Sequence, residues 1–191
     1  MKPNLESIKA YPRAMHFYVY TLYEFVKEMK CKNVLEIGTQ NGQSTRAILM
    51  ALDSNKEGRL ISLDHKSRSS ILDDDFQDYK KYWTFVQANS YAPETVETVK
   101  EFLGEDGLFD LAFIDGDHTY EGVKKDWDCY SKLVRPGGVI ILHDTVNQNV
   151  GVSQLWNEID WPEKFNCDWG TGRSNVTVGL GIVKKPYDVT E

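Results

Sequence analysis

Short, nearly unbroken apolar runs alternate with amphipathic stretches along most of this chain. Five runs read as strands: Asn33–Gly38, Arg59–Asp64, Trp83–Ala88, Phe109–Asp115 and Gly138–His143. Their near-continuous hydrophobicity is what a sheet covered on both faces requires. Between them, helical spacing predicts helices over Gln43–Asp53, Pro93–Leu103 and Tyr120–Leu133. An aromatic-rich stretch predicts a further helix over Met15–Met29, packed on the sheet or roofing a site, with His16 as a helix or lid residue. The alternation points to an α/β fold, a Rossmann-like doubly wound sheet that is mostly parallel. The tail breaks the rhythm. Val152–Ile159 reads as a helix, and Phe165–Trp169 and Val176–Val183 read as strands. They form a terminal antiparallel hairpin and bring the sheet to about seven strands. Arg135-Pro136-Gly137-Gly138 reads as a turn feeding the fifth strand, and Asp73-Asp74-Asp75 as a solvated loop or helix cap.

With 191 residues, 41% hydrophobic and 27% charged, the chain suits one domain with a sizeable core rather than a disordered segment. The division expected is 1–32 as an N-terminal helical or lid segment, 33–144 as a cofactor-binding core and 145–191 as a substrate-side segment with the hairpin. A net charge of −7 repels phosphate backbones, so no nucleic-acid partner is expected. Cys31, Cys129 and Cys167 are scattered and show no metal-ligand or disulfide spacing, which fits a reducing compartment. The opening residues lack the apolar stretch of a signal peptide, and His16 and Glu24 interrupt the longest greasy region. A cytoplasmic protein without a membrane partner is expected, and a homo-oligomer is compatible with the sequence.

Two stretches carry candidate chemistry. The first is Val34-Leu35-Glu36-Ile37-Gly38-Thr39-Gln40-Asn41-Gly42-Gln43-Ser44-Thr45: a buried strand ending near an acid, a glycine turn, and a helix start with Ser44 as polar cap. Such a junction brings backbone N–H groups and a helix N-terminus close to a nucleotide-like ligand. The second strand ends in Asp64, placed to accept hydrogen bonds from a ribose diol, and the third ends in Asn89-Ser90, placed to meet an adenine edge. The bland reading of the same residues is a tight strand–helix connection. The second stretch is Asp115-Gly116-Asp117-His118 after the fourth strand, with His143-Asp144 ending the fifth. Neighbouring parallel strands deliver their ends to one edge, so Asp115 and Asp144 converge and call for a cation, a proton or intervening water. Oxygen ligands favour Mg²⁺, Ca²⁺ or Mn²⁺ over zinc. The bland reading makes Asp115-Gly116-Asp117 a turn capping the helix from Thr119. Trp156, Trp161, Trp169, Tyr18 and Tyr20 stand as an acceptor wall, a lid or packing.

Leu35-Glu36-Ile37-Gly38-Thr39, with Gly42, Ser44 and Thr45, resembles the first motif of class I S-adenosylmethionine-dependent methyltransferases. The likeness is closest to metal-dependent small-molecule O-methyltransferases, the catechol-type and sugar- or macrolide-modifying enzymes. Gln40 stands where the generic family has a glycine. The resemblance implies that Glu36, Gly38, Thr39, Gly42 and Ser44 hold the methionine portion, Asp64 the ribose with His65 beside it, and Asn89 and Ser90 the adenine side. It implies a divalent cation, Mg²⁺ by analogy, on Asp115 and Asp144 with His143 as a third ligand. His118 would accept the proton, and Asp115 would serve cofactor, ion and catalysis together. The implied partner is a small-molecule hydroxyl acceptor. Methyl transfer by His118 without a metal, a noncatalytic S-adenosylmethionine-binding module and a nicotinamide-dependent oxidoreductase are the alternatives. For the last, Gln40 occupies the second glycine position of the dinucleotide fingerprint.

Overall fold

A seven-stranded sheet with the order β3-β2-β1-β4-β5-β7-β6 organises the computed structural model, which describes residues 18–68, 74–104, 107–171 and 177–187. The elements in chain order are α1 (Val19–Glu28), β1 (Asn33–Ile37), α2 (Gln43–Asn55), β2 (Arg59–Asp64), a 3-10 helix (Asp74–Tyr82), β3 (Trp83–Gln87), α3 (Pro93–Leu103), β4 (Phe109–Ile114), α4 (Tyr120–Tyr130), a 3-10 turn (Ser131–Leu133), β5 (Val134–His143), α5 (Val152–Glu158), β6 (Lys164–Thr171) and β7 (Thr177–Lys184). The first five strands run parallel; β7 pairs antiparallel with β5, and β6 antiparallel with β7. The mostly parallel sheet with its terminal hairpin is the architecture that the apolar runs predict. His16, residues 15–17 of the first predicted helix, residues 1–17 of the expected lid segment and most of the turn joining the last two strands lie outside the described residues.

Successive strand residues feed opposite cores. On one face Val34, Leu60, Phe113, Ile141 and Ile182 pack with Leu22, Val26, Ile48 and Leu52 of α1 and α2. On the other, Leu35, Ile61, Ile114, Ile140 and Val183 pack with Val99, Val123, Leu155 and Trp156 of α3, α4 and α5. Burial on both faces explains why these strands show no polar alternation. Among the described residues, no helix is long and apolar enough to cross a membrane.

Several local expectations shift for tertiary reasons. Arg135–Gly138 belongs to β5 itself: Gly137 takes φ +72°, and the β4–β5 register slips between Phe109 and Leu111. The strand therefore absorbs the turn as an irregularity. The helix from Tyr120 ends at Tyr130 and tightens to a 3-10 turn. Asp74 opens a 3-10 helix whose Phe76, Tyr79 and Tyr82 are buried against the α1–α2 face. Ser44 is not the helix cap. Gly42 caps α2 in the left-handed region without a side-chain bond, and the Ser44 hydroxyl turns inward.

That inward turn belongs to a buried polar network. Ser44 Oγ donates to Glu36 Oε1 at 2.5 Å, and Thr45 Oγ1 and Ser62 Oγ donate to Glu36 Oε2 at 2.8 and 2.6 Å. Trp83 Nε1 donates to Ser62 Oγ at 2.9 Å, so the network spans β3, β2, β1 and the first turn of α2. Burial pushes the Glu36 carboxyl up to about 7, against the pull of its three hydroxyl donors. Beyond Glu36 the chain turns at Gly38 with φ +87°, where a Cβ would overlap the carbonyl oxygen of Asp115.

Two outcomes follow from this junction. The unfolded Glu36 carboxyl ionises near pH 4.5, whereas the folded one holds its proton to about 7. Its contribution to stability is therefore complete below about pH 4.5 and falls by about 3 kcal/mol as pH rises through about 7. Urea unfolding of Glu36→Gln between about pH 5 and about pH 8 is expected to lack that slope while the wild type shows it. Gly38→Ala combines an unfavourable φ with a backbone overlap, and a loss of more than about 2 kcal/mol is expected in the same assay.

Candidate active site

The strand order reverses between β1 and β4, the crevice where open parallel sheets bind ligands. A narrow cleft opens there, lined by Gly38, Thr39, Gln40, Asn41, Gln43, Ser44 and Asp115. Gln40 and Gly42 both take left-handed backbone, with φ +46° and +73°. This folds the turn back on itself ahead of the α2 N-terminus. Among the described residues Thr39 Oγ1 and Asn41 Nδ2 are buried without a hydrogen-bond partner, so the turn carries an acceptor–donor pair that suits a polar ligand. Glu36 lies behind this turn rather than on the cleft: it is fully buried and both its oxygens are engaged by hydroxyls.

Asp64, at the end of β2, braces the turn from the side. Its Oδ2 accepts from the N–H groups of Thr39 and Gln40 at 3.2 and 3.0 Å and from Arg68 Nε at 3.1 Å, while Oδ1 accepts from Lys66 N at 2.8 Å. Burial works against the charge, but these donors outweigh it and hold the Asp64 carboxyl below its ordinary value. His65 is exposed, with Nδ1 3.5 Å from Asp64 Oδ1. Beyond β3, Asn89 is exposed and its side chain accepts from Tyr91 N at 3.3 Å. Ser90 turns away from solvent and donates to Asp126 Oδ1 at 2.6 Å, and the Tyr130 hydroxyl donates to the Ser90 carbonyl. Asp126 is fully buried, its other oxygen has no partner, and burial pushes its carboxyl up to about 6. The sequence gives no sign of this role for Asp126, because it sits mid-helix and meets Ser90 only through the fold.

The ends of β4 and β5 bring four titratable groups together. Ile114 pairs with Leu142, so Asp115 and His143 emerge side by side. His118 lies between two acids: Nε2 is 3.0 Å from Asp115 Oδ1 and Nδ1 is 3.0 Å from Asp144 Oδ2. His143 Nδ1 is 3.2 Å from Asp115 Oδ1 and 3.5 Å from Asp144 Oδ1. These are charge contacts without hydrogen-bond direction, so both ring nitrogens of His143 and Asp144 Oδ1 remain buried with unused bonding capacity. Donating to Asp115, and lying next to Asp144, holds His118 up at about 9. Burial pulls His143 down, but the same two acids outweigh it and raise it to about 10. Burial likewise opposes charge on Asp115 and Asp144, and the imidazoles reverse that effect, leaving both below the usual carboxylate range. Ligand atoms of Asp115, His118 and His143 all lie within 4.8 Å of one another, a set that could hold a metal ion.

The bland roles fall elsewhere. Asp117 Oδ1 accepts from Thr119 N at 2.9 Å, and Thr119 caps α4 by accepting from Gly122 N at 3.1 Å. Asp117 is thus a turn residue rather than a partner of His118. Of the aromatic wall, Tyr18 reaches the cluster, edge-on to His143 with ring centroids 5.5 Å apart. Trp156, on α5, is buried in the core on the sheet's other face, and the partly buried Trp161 packs against that core, on Trp127 at 5.0 Å. The Trp169 side chain lies outside the described residues.

A family model described as a methyltransferase domain matches residues 35–145, from the middle of β1 to just past Asp144. The catechol O-methyltransferase of Niastella koreensis is 26% identical over 163 residues, covering 83% of this chain and 71% of that protein. Among solved structures, the O-methyltransferase from Bacillus cereus in complex with SAH shares the fold with a TM-score of 0.69 at 20% identity, over 96% of this chain and 92% of that one. The MycE methyltransferase of the mycinamycin biosynthetic pathway, in complex with Mg and SAH, does so with a TM-score of 0.63 at 16% identity, over 100% of this chain and 57% of that one. The family match spans more than half of the sequence and takes in both the glycine turn and the Asp–His cluster, so this chain belongs to the methyltransferase-domain family.

Proposed function

We infer that this chain transfers the methyl group of S-adenosylmethionine to a hydroxyl of a small molecule, assisted by a divalent cation. The observation that carries the reading is the placement of Asp115: it lines the glycine-turn cleft and also belongs to the Asp–His cluster. A donor group held in the cleft and an acceptor held at the cluster would therefore meet across one side chain. The catechol O-methyltransferase relative, the neighbours holding SAH and the MycE complexes holding Mg and mycinamycin VI support donor, ion and small-molecule acceptor.

The residues divide the work as follows. Thr39 Oγ1 and Asn41 Nδ2 would meet the amino acid portion of the donor, and Asp64 would accept from the ribose hydroxyls. Asn89 and the Ser90 loop, held from behind by Asp126, would border the adenine. S-adenosylmethionine in this position supplies a sulfonium methyl that a hydroxyl oxygen takes by in-line displacement, leaving a neutral thioether. A cation on Asp115, His143 and Asp144 would supply positive charge that favours the ionised hydroxyl. Asp115 would keep His118 oriented through Nε2, while His118 Nδ1, once Asp144 turns to the ion, would release its own proton to solvent and so accept the hydroxyl proton. Glu36 would act only through the turn it supports. The free cysteines Cys31, Cys129 and Cys167 support a cytoplasmic setting.

Calorimetric titration of the full chain with SAH and, separately, with NAD tests the cofactor. Binding of SAH alone is expected, and NAD binding without SAH binding would overturn the reading. Asp64→Asn is expected to weaken SAH binding by about 10-fold or more, because it removes a charged acceptor. His118→Gln is expected to leave SAH affinity within about 2-fold while lowering methyl transfer by about 100-fold or more, as loss of a general base does. Labelled methyl donor and a panel of catechol and sugar hydroxyl acceptors provide the measurement, and chelator is expected to abolish transfer by the wild type.

A further inference from the structure

Resting on that reading of Asp115 and Asp144 as the carboxylates of an ion site, we propose that the site selects an imidazole-binding transition ion of the Fe²⁺, Co²⁺ and Zn²⁺ class over Mg²⁺, with His143 as its nitrogen donor. Three observations carry this. First, His143 is only 4% exposed; among the described residues Nε2 has no partner, and Nδ1 meets Asp115 and Asp144 only as charge contacts without hydrogen-bond geometry. A buried imidazole left in that state has unmet bonding capacity that a metal–nitrogen bond would satisfy. Second, Asp144 Oδ1 is also buried and unpartnered and lies 3.5 Å from His143 Nδ1, with Asp115 Oδ1 at 3.2 Å from the same nitrogen. Neighbouring ligands around an ion with bonds of about 2.1 Å stand about 3.0–3.4 Å apart, so these two separations from His143 Nδ1 approximate edges of one coordination shell. Third, the imidazole is fixed: the Tyr18 ring stands edge-on at 5.5 Å, and Asp144 follows in left-handed backbone with φ +65°.

Chemistry then decides between ions. Mg²⁺ takes oxygen ligands and keeps most of its water, whereas imidazole suits Fe, Co, Ni and Zn. A Glu at position 143 would complete an all-oxygen site for Mg²⁺; His143 replaces one oxygen by nitrogen. His118 also falls within the candidate ligand set, but both its ring nitrogens are already engaged, by Asp115 Oδ1 and Asp144 Oδ2 at 3.0 Å each, so the nitrogen donor is assigned to His143.

The test uses chelator-treated full-length protein titrated calorimetrically with Co²⁺, Zn²⁺ and Mg²⁺ in turn. Co²⁺ and Zn²⁺ are each expected to bind at least about 100-fold more tightly than Mg²⁺. X-ray absorption of the Co²⁺-loaded wild type is expected to show imidazole scattering in the first shell. His143→Glu is expected to lose about 10-fold or more in Co²⁺ affinity while binding Mg²⁺ at least as well as the wild type. His143→Asn serves for the loss of Co²⁺ affinity if the Glu variant does not fold. Equal affinity for Mg²⁺ and Co²⁺, an oxygen-only shell, or no bound ion would overturn the proposal. SAH titration of the same samples separates the two readings: SAH binding without ion binding removes the metal proposal alone, and ion binding without SAH binding removes the methyl-donor reading alone.

Discussion

A carboxyl buried directly beneath a glycine turn constrains everything built above it. Glu36 has no access to water, so its oxygens need partners inside the protein or the fold loses several kcal/mol. The partners are hydroxyls from β2 and from the first turn of α2, which ties the start of that helix to a fixed height on the sheet. Because Ser44 is engaged below, it does not cap the helix. Gly42 does so with backbone alone, leaving the first turn to face the cleft. Asp64 then holds the N–H groups of Thr39 and Gln40 from the side, and Gly38 lets the Asp115 backbone close in. The cleft therefore exists in its present shape because three strand ends are locked to one turn.

The Asp–His cluster answers a different demand. Asp115 and Asp144 project from neighbouring parallel strands into a poorly hydrated space, where two bare negative charges would repel. Two imidazoles interleave with them and neutralise the pair. Asp144 reaches its place only with φ +65°, which costs a non-glycine residue on the order of 1 kcal/mol. The next residue shows what maintains that backbone: Thr145 N donates to the Gly179 carbonyl at 3.2 Å, and Thr145 Oγ1 donates to Asn166 Oδ1 at 2.7 Å. The terminal hairpin thus does more than cover the edge of β5, since both of its strands hold the residue that follows Asp144.

The sequence reveals what local pattern encodes and hides what distant partners decide. Arg59–Asp64 and Pro93–Leu103 form where the apolar runs place them, because a strand buried on both faces and a helix opened by proline carry their signatures within the segment. The meeting of Asp115 with Asp144 was readable too, since parallel strands bring their ends to one edge. Ser44 reads as a cap because a capping serine and a serine bound to a buried acid look alike until the fold brings Glu36 and Ser62 to it. The 3-10 helix over Asp74–Tyr82 carries its rings every third residue, at Phe76, Tyr79 and Tyr82, a spacing that fits neither an α-helix nor a strand and that the acidic start disguises as a loop. Trp156 resembles a recognition residue in sequence, yet β7 gives it a core position by bringing Gly181 under its ring.

Asp64 shows how a bracing group remains able to bind. Three of its donors, the N–H groups of Thr39, Gln40 and Lys66, are fixed by the backbone of the turn and the strand end. The fourth, Arg68, is a side chain that retains 23% exposure and can withdraw into solvent. On the proposed reading, a ribose diol approaching Asp64 would displace Arg68 and leave the turn intact. The exchange gives up one charge-assisted hydrogen bond, so a single hydroxyl roughly balances the loss and a second supplies the net gain. An acid arranged this way would discriminate in favour of a vicinal diol over an isolated alcohol, because only the diol would more than replace the guanidinium.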